Sequence, residues 1–175
     1  EAAMSCDGLI ICNINFNDEL IRQAKSLNKP VFTDVHVLCD INDEYNSRFL
    51  ENADVVFLSD EGLPCEPEIF IQSIYDKYHN KVIVLGQGAK GALLFEGEQG
   101  TFTSVPSVYT RPVVNTVGAG DALFSCFVHF YLKGLKPVDA LRKAVKFASY
   151  KIGVSGGAKG FIDEAALENL ESHPL

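Results

Sequence analysis

The stretch NTVGAGDALFS, residues 115–125, places a Gly-Ala-Gly turn directly before Asp121 and an apolar run. A glycine-rich turn that opens a helix presents unpaired backbone N–H groups at the positive end of the helix dipole, and its small residues let an anion approach them. Asp121 then has two interpretations. It can simply cap the helix, or it can accept a proton from a hydroxyl that attacks a phosphoryl group held by those amides.

The sequence after this turn predicts only helices. DALFSCFVHFYLKG, residues 121–134, is apolar nearly all round and predicts a buried central helix that ends at Gly134. His129 inside it is interpreted as a packed core histidine. Residues 136–153 predict an amphipathic covering helix, and a last helix is predicted near 163–171.

Upstream of the turn, short apolar strands alternate with helical patterns. This alternation predicts βαβ units with a parallel sheet, and therefore an α/β fold. The segment GALLFEGEQGTFTSVPSV, residues 91–108, predicts an antiparallel hairpin that completes the sheet. The predicted strands are 8–14, 31–35, 54–58 and 81–85, and the predicted helices between them are 17–27, 42–52 and 66–79.

Length and composition indicate one globular domain over residues 1–175, with 47% hydrophobic residues to form a core. The net charge of −8 argues against nucleic acid as a partner. We expect no membrane partner and a cytoplasmic location, because no apolar run approaches a membrane span and no signal-like segment is present. The five cysteines form no CxxC pair, and Cys12 and Cys126 are expected to be buried free thiols.

The charge is unevenly distributed. Residues 111–160 carry eight Lys or Arg against two acids. Ordinary solvated helix faces explain this excess, and so does a local field suited to a small polyanion.

Two further glycine-rich segments are candidate sites. LGQGAKGALLF, residues 85–95, follows a predicted strand and continues as a strand, so it is either a plain hairpin turn or a loop whose backbone touches a nucleotide. GVSGGAKGFID, residues 153–163, follows a helix and by itself indicates only a linker.

Together, residues 115–134, the segment VIVLGQGAKGALLF and the GGAKG loop resemble the PfkB (ribokinase-like) carbohydrate kinases, in motif and in order. The resemblance implies a ribokinase-like three-layer α/β/α fold with a mostly parallel sheet and an antiparallel hairpin at one edge. It also implies ATP-dependent phosphoryl transfer, with Mg²⁺, to a hydroxyl of a sugar or nucleoside. Asp121 matches the catalytic base. The turn amides that stabilise the transferring group match Gly118, Ala119 and Gly120, and the nucleotide-binding positions match Gly86, Gly88, Gly91, Thr116 and Gly157.

The chain departs from the family pattern at several positions. Asn115 replaces the signature Asp that lies near a monovalent cation in some members, so the strength or presence of that cation is open. Gly86 replaces the nucleotide-loop Thr. Ser59 and Gly62 stand where an Asn-x-x-Glu motif helps to arrange magnesium, so either Asp60 or Glu61 substitutes or magnesium is held through phosphates and water.

The resemblance covers only the later part of the family's fold, and the N-terminal part with its lid has no counterpart here. A homodimer is expected only where that region is present. Two alternatives to a sugar or nucleoside kinase therefore stay open. One is a nucleotide-binding module of the same fold with impaired catalysis, and the other is a vitamin-precursor kinase of the superfamily.

Overall fold

A computed structural model describes residues 2–175 as alternating strands and helices, then three further strands, then three helices and a last two-residue strand. The strands are β1 Leu9–Ile10, β2 Val31–Val37, β3 Val55–Ser59, β4 Val82–Gly86, β5 Ala92–Glu96, β6 Thr101–Val105, β7 Val108–Tyr109 and β8 His173–Pro174. The helices are α1 Ala2–Ser5, α2 Asp18–Ala24, α3 Glu44–Asn52, α4 Pro67–Tyr78, α5 Ala119–Leu132, α6 Pro137–Lys151 and α7 Glu164–Asn169. Single 3₁₀ turns cover Asn15–Asn17, Lys25–Leu27 and Gly88–Lys90.

The first six strands form one sheet in chain order, β1 to β6. β1 to β4 run parallel, and the register pairs Val31 with Leu9 and Ser59 with Gly86. The α/β class is confirmed, as are the mostly parallel sheet and the antiparallel strands that complete it. Alternation of buried apolar strands with helices was enough to predict this because a parallel connection requires a crossover segment.

The structure divides into two compact units. One comprises the residues up to Gly86 together with Leu94–Phe102, and the other comprises Gln87–Leu93 and Thr103–Leu175. The core of the first unit is formed by strands that are buried on both faces, including the fully buried residues Val55, Val56 and Ile83.

The second unit is built on the packing of α5 against α6. Apolar side chains recur at helical spacing on both helices, with Phe127 of α5 and Leu141 and Ala144 of α6 completely buried. α6 begins with Pro137 at its first position, where a missing N–H costs nothing. All the residues of the signature stretch lie in this unit.

Three expectations about single residues and elements were wrong. His129 is not a core residue: its side chain is 53% exposed and its Nε2 lies 3.2 Å from Glu164 Oε2. Cys12 is exposed, whereas Cys126 is buried as expected. The expectation that only helices follow the Gly-Ala-Gly turn was also wrong, because the strand β8 comes after α7 and pairs antiparallel with β7. Strands of two residues carry no periodicity by which a sequence could predict them.

Candidate functional site

The signature stretch begins with a turn organised by Asn115. The Asn115 Oδ1 atom accepts a hydrogen bond from the Val117 N–H at 2.7 Å, a local side-chain turn that Asn and Asp form readily. The N–H groups of Val114 and Asn115 both donate to the Ile152 carbonyl, at 2.8 and 3.0 Å. The start of the stretch is thus fastened to the C-terminal end of α6.

Gly118 is the residue at which the turn becomes helix α5. It is the N-cap of α5 and has a left-handed backbone with φ of 82°, which glycine adopts without a steric penalty. A Cβ atom on Gly118 would lie 3.2 Å from the Gly157 Cα atom. Gly118, predicted as part of the catalytic turn, and Gly157, predicted to bind the nucleotide, therefore lie so close together that a side chain on Gly118 would crowd Gly157.

Some N–H groups of this turn are hydrogen-bonded within the protein and others are free. The Ala119 N–H donates to the Thr116 carbonyl at 3.1 Å, and the Ala122 N–H donates to the Gly118 carbonyl at 3.0 Å. Within residues 2–175, the structure gives the N–H groups of Gly118, Gly120 and Asp121 no acceptor. The free donors at the start of α5 thus come from both sides of Ala119 rather than from Ala119 itself.

Open space lies beside Gly120. A Cβ atom placed there would meet nothing within 4 Å outside its own helix and chain neighbours. Neither packing nor backbone conformation therefore explains a glycine at this position, since its φ is not positive. A ligand that needs close access to the amides does explain it.

Asp121 is the third residue of α5 and its side chain is exposed. Among the described residues its carboxylate has no hydrogen-bond donor and no ion-pair partner. The N-cap of α5 is Gly118, without a capping side chain, so Asp121 does not cap the helix. The carboxylate is free to act on a ligand next to the amides.

The loop after β4 is closed by its own backbone. The Gln87 N–H donates to the Gly91 carbonyl at 2.8 Å, and the Gly91 N–H donates to the Gly88 carbonyl at 3.1 Å. Gly91 is buried, and a Cβ atom there would lie 2.1 Å from the Val105 carbonyl oxygen, so packing alone requires glycine. Gly88 is exposed with φ of 55°, and a Cβ atom placed there would meet nothing within 4 Å. Both interpretations of this loop, hairpin turn and nucleotide contact, therefore keep support.

The segment that departs from the magnesium motif lies in the other compact unit and follows β3. The Glu61 N–H donates to Ser59 Oγ at 3.3 Å, and the Asp60 N–H donates to the Gly86 carbonyl at 3.0 Å. Gly62 has φ of 71°, and a Cβ atom there would lie 2.9 Å from Cys39 Sγ. A glutamate at position 62 would therefore need the Cys39 side chain to shift and would be held in a left-handed backbone that such residues rarely adopt.

Sequence reasoning missed two features of the second unit. One is a pocket of about 300 Å³ whose walls include Phe130, Phe147 and Phe161. The other is Lys151, whose side chain is 1% exposed. Its spacing from Ala144 and Phe147 on the inner face of α6 was a signal that could have revealed it, because positions 144, 147 and 151 share one helix face.

Neither a metal cluster nor a membrane helix was found in the part of the chain that the structure describes. No three His, Cys, Asp or Glu side chains of residues 2–175 are grouped so that they could hold a metal ion. None of the helices within the same range is long and apolar enough to cross a membrane.

The chain is similar to known proteins in sequence and in fold. A family model described as pfkB family carbohydrate kinase matches residues 14–164. A deoxyribokinase of Salmonella typhi is 38% identical over 85 residues, which are 49% of this chain and 26% of the deoxyribokinase.

Two solved structures share the fold over nearly the whole chain. A microbiome-derived acarbose kinase, Mak1, has a TM-score of 0.88 at 23% identity, covering 97% of this chain and 57% of its own. An Escherichia coli ribokinase II, solved in complex with ATP and Mg²⁺, has a TM-score of 0.80 at 18% identity, covering 95% of this chain and 59% of its own. The chain thus spans little more than half the length of these structures.

The solved structures show the fold of the chain, and the family model shows its family. The fold is the ribokinase-like α/β fold. Since the family model matches far more than half of the chain, the chain belongs to the pfkB family of carbohydrate kinases.

Proposed function

We propose that this chain carries the phosphoryl-donor site and the catalytic base of an ATP-dependent kinase that phosphorylates a hydroxyl of a sugar or nucleoside. The observation that carries the proposal is the exposed Asp121 carboxylate, which lies in the same helical turn as free N–H groups of α5 and has no partner among the described residues. Free amides at a helix N-terminus attract an anion, and a free carboxylate beside that anion can take up a proton.

These groups account for each bond and proton of a phosphoryl transfer. Asp121 takes the proton of the acceptor hydroxyl while the hydroxyl oxygen forms a bond to the γ-phosphorus of ATP. The bond from that phosphorus to the bridging oxygen breaks, and ADP leaves with the electron pair. The Gly118 and Gly120 amides stabilise charge on the transferring phosphoryl oxygens.

ATP and magnesium enter the proposal through the family and the solved ribokinase II, whose structure contains both. When bound, Mg²⁺ would neutralise charge that develops on the phosphates during transfer. We propose that such an ion would be held mainly by phosphates and water, a mode of binding that Mg²⁺ commonly adopts.

The acceptor class follows from the family and from the names of the relatives. The matched deoxyribokinase and acarbose kinase are both named for sugar substrates. We therefore propose a sugar or nucleoside hydroxyl as the acceptor. Of the eight basic residues of 111–160, Lys133, Arg142 and Lys143 are paired with carboxylates, and the excess of positive charge that the others leave suits the polyphosphate donor.

A nucleotide-binding module without catalysis is the second candidate. The observation that favours it is the replacement of two acidic family positions by residues with structural roles of their own. Asn115 is engaged in a turn, and Gly62 has a positive φ and lies close to the Cys39 side chain. Neither change removes Asp121, which is why the kinase is preferred.

The test compares Asp121→Asn with Asp139→Asn. Asp139 is the third residue of α6, as Asp121 is of α5, so the two variants make the same chemical change at the same helical position. We expect Asp121→Asn to lower phosphate transfer to sugar or nucleoside acceptors by roughly 10²–10⁴-fold, with ATP affinity within a few-fold of the native value by calorimetry. Asp139→Asn should leave both unchanged.

The same measurements separate the two candidates. Near-native transfer by Asp121→Asn would contradict the assigned base. ATP binding by the native protein without transfer to any sugar or nucleoside would favour the binding module.

A further inference from the structure

Lys151 is the one fully buried charged side chain among residues 2–175. It occupies the last position of α6 on the face that packs inward, beside Ala144 and Phe147. Its Nζ donates a hydrogen bond to the Gly156 carbonyl at 2.8 Å. Removing an ammonium from water is costly unless polar groups surround it, so the placement requires an explanation.

The surroundings of Lys151 are the two segments that build the candidate phosphate site. The next residue, Ile152, accepts hydrogen bonds from the N–H groups of Val114 and Asn115. Gly156, which accepts the hydrogen bond from Lys151, precedes the glycine whose backbone touches Gly118. The ammonium therefore ties the 153–160 loop to α6, at the point where α6 also holds the start of the signature stretch.

A second cation reaches the same loop. Arg111 Nε donates to the Tyr150 carbonyl at 2.7 Å, and its guanidinium lies 3.5 Å from the centre of the Tyr150 ring. The Arg111 Nη2 atom is buried without a hydrogen-bond partner in the described part of the chain. A Cβ atom on Gly160 would lie 3.5 Å from this Nη2 and 3.7 Å from Lys151 Cδ. Within residues 2–175 no carboxylate pairs with Lys151 or Arg111.

The residues at this place do not fit a bound monovalent cation. The resemblance implies such an ion near position 115, where some family members have an Asp. Here the residue is a neutral Asn whose Oδ1 is engaged with the Val117 N–H. Two fixed positive charges beside the loop would repel a third. A loop carbonyl is already bonded to an ammonium that belongs to the chain.

We infer that the Lys151 ammonium is the fixed cation of this site and takes the place of an exogenous monovalent cation. The chain then carries internally the charge that holds the 153–160 loop against the α5 turn, so its stability and nucleotide affinity do not depend on K⁺. The consequence for nucleotide affinity rests on the proposed function. The consequence for stability does not.

The test compares KCl with N-methyl-D-glucamine chloride at equal ionic strength. For the native protein we expect the same thermal denaturation midpoint and less than about a twofold change in ATP dissociation constant between the two salts. Lys151→Ala removes the ammonium and leaves room for a small cation, so K⁺ should raise its midpoint and tighten ATP binding by about tenfold. Lys151→Met removes the charge but fills the space, so K⁺ should restore little.

Lys146→Ala is the matched control, since Lys146 lies on the same helix but is only partly buried. It should show no K⁺ response. A native protein that K⁺ stabilises, or a folded Lys151→Ala that K⁺ does not stabilise, overturns the inference. If Lys151→Ala folds in neither salt, the native protein decides: an unchanged midpoint supports the inference and a rise contradicts it. Absence of ATP binding by the native protein would contradict the proposed function while leaving the denaturation test of Lys151 intact.

Discussion

The Gly157 Cα atom lies 3.2 Å from the point that a Cβ atom would occupy on Gly118. Gly118 begins helix α5, and Gly157 lies in the glycine loop after α6, so this backbone contact joins two parts of the candidate phosphate site. The contact leaves no room for a side chain on Gly118 without a shift of the loop. A Cβ atom on Gly120 would meet nothing within 4 Å, so substitutions at Gly118 and at Gly120 test different properties of the turn.

Gly118→Ala should therefore mainly lower the stability of the fold, and Gly120→Ala should mainly weaken ATP binding. Gly118→Ala forces a left-handed backbone on alanine and crowds Gly157, so we expect it to lower the free energy of unfolding by about 1–2 kcal/mol or more. Gly120→Ala should change that free energy by less than about 1 kcal/mol, because alanine is tolerated in a helix. It should still weaken ATP binding, since its methyl group would stand where the phosphate approaches. Denaturant unfolding and calorimetry measure the two quantities. Unchanged ATP affinity in Gly120→Ala would argue against phosphate at this turn.

Asn115 should be replaceable by Asp but not by Ala. The Asn115 Oδ1 atom accepts the Val117 N–H, and a carboxylate can accept the same hydrogen bond. Asn115→Ala loses it, and we expect a cost of about 1 kcal/mol in the free energy of unfolding. Asn115→Asp should cost less than Asn115→Ala, as urea denaturation of the two variants can establish. Equal stability of the variants would mean that this turn does not depend on its side-chain hydrogen bond.

Glu164 should make stability depend on pH in the acidic range. The hydrogen bond from Lys133 and then that from His129 hold the pKa of Glu164 below its ordinary value of 4.5. A carboxyl whose pKa is lowered by folding contributes stability that is present above its unfolded pKa and is lost as the pH falls through the folded pKa. The native protein should thus exceed Glu164→Gln in denaturation midpoint near neutral pH, and the gap should shrink as the pH falls below about 4.5. A gap that stays constant over this range would contradict the role of the carboxylate.

Cys126 should resist thiol reagents that modify the exposed cysteines. Burial raises the pKa of Cys126 to about 12, so almost none of it is thiolate at pH 8. Cys12, Cys39 and Cys65 are exposed. Mass spectrometry after brief iodoacetamide treatment of the folded protein should find these three cysteines labelled and Cys126 unlabelled. In the denatured protein all four of these cysteines should be labelled. Rapid labelling of Cys126 in the folded protein would show that its helix opens readily.

Much of the fold was predictable because it depends on local patterns. Buried strands such as 54–58 and 81–85 were placed to within a residue, since a short run of Val, Ile and Leu between helical patterns has few alternatives in a parallel sheet. Helices α2 to α7 were also predicted, with α5 beginning two residues earlier than the apolar run, whereas the short helix α1 was not. Exposure was predicted less well. His129 and Cys12 sit in apolar sequence yet reach solvent, because the direction of a single side chain depends on which neighbours cover it.

The sequence by itself determined the family and the presence of the glycine-rich turn before Asp121, because these are properties of residue identity and order. Only the tertiary structure decided which groups are free and which are engaged. It places Gly157 against Gly118, occupies the Ala119 amide, leaves the Asp121 carboxylate without a partner among the described residues, and buries Lys151 against Gly156. The contact of Lys151 with Gly156 joins residues 5 positions apart, and that of Gly118 with Gly157 joins residues 39 positions apart. A sequence pattern does not record which donors and acceptors will pair when the chain folds.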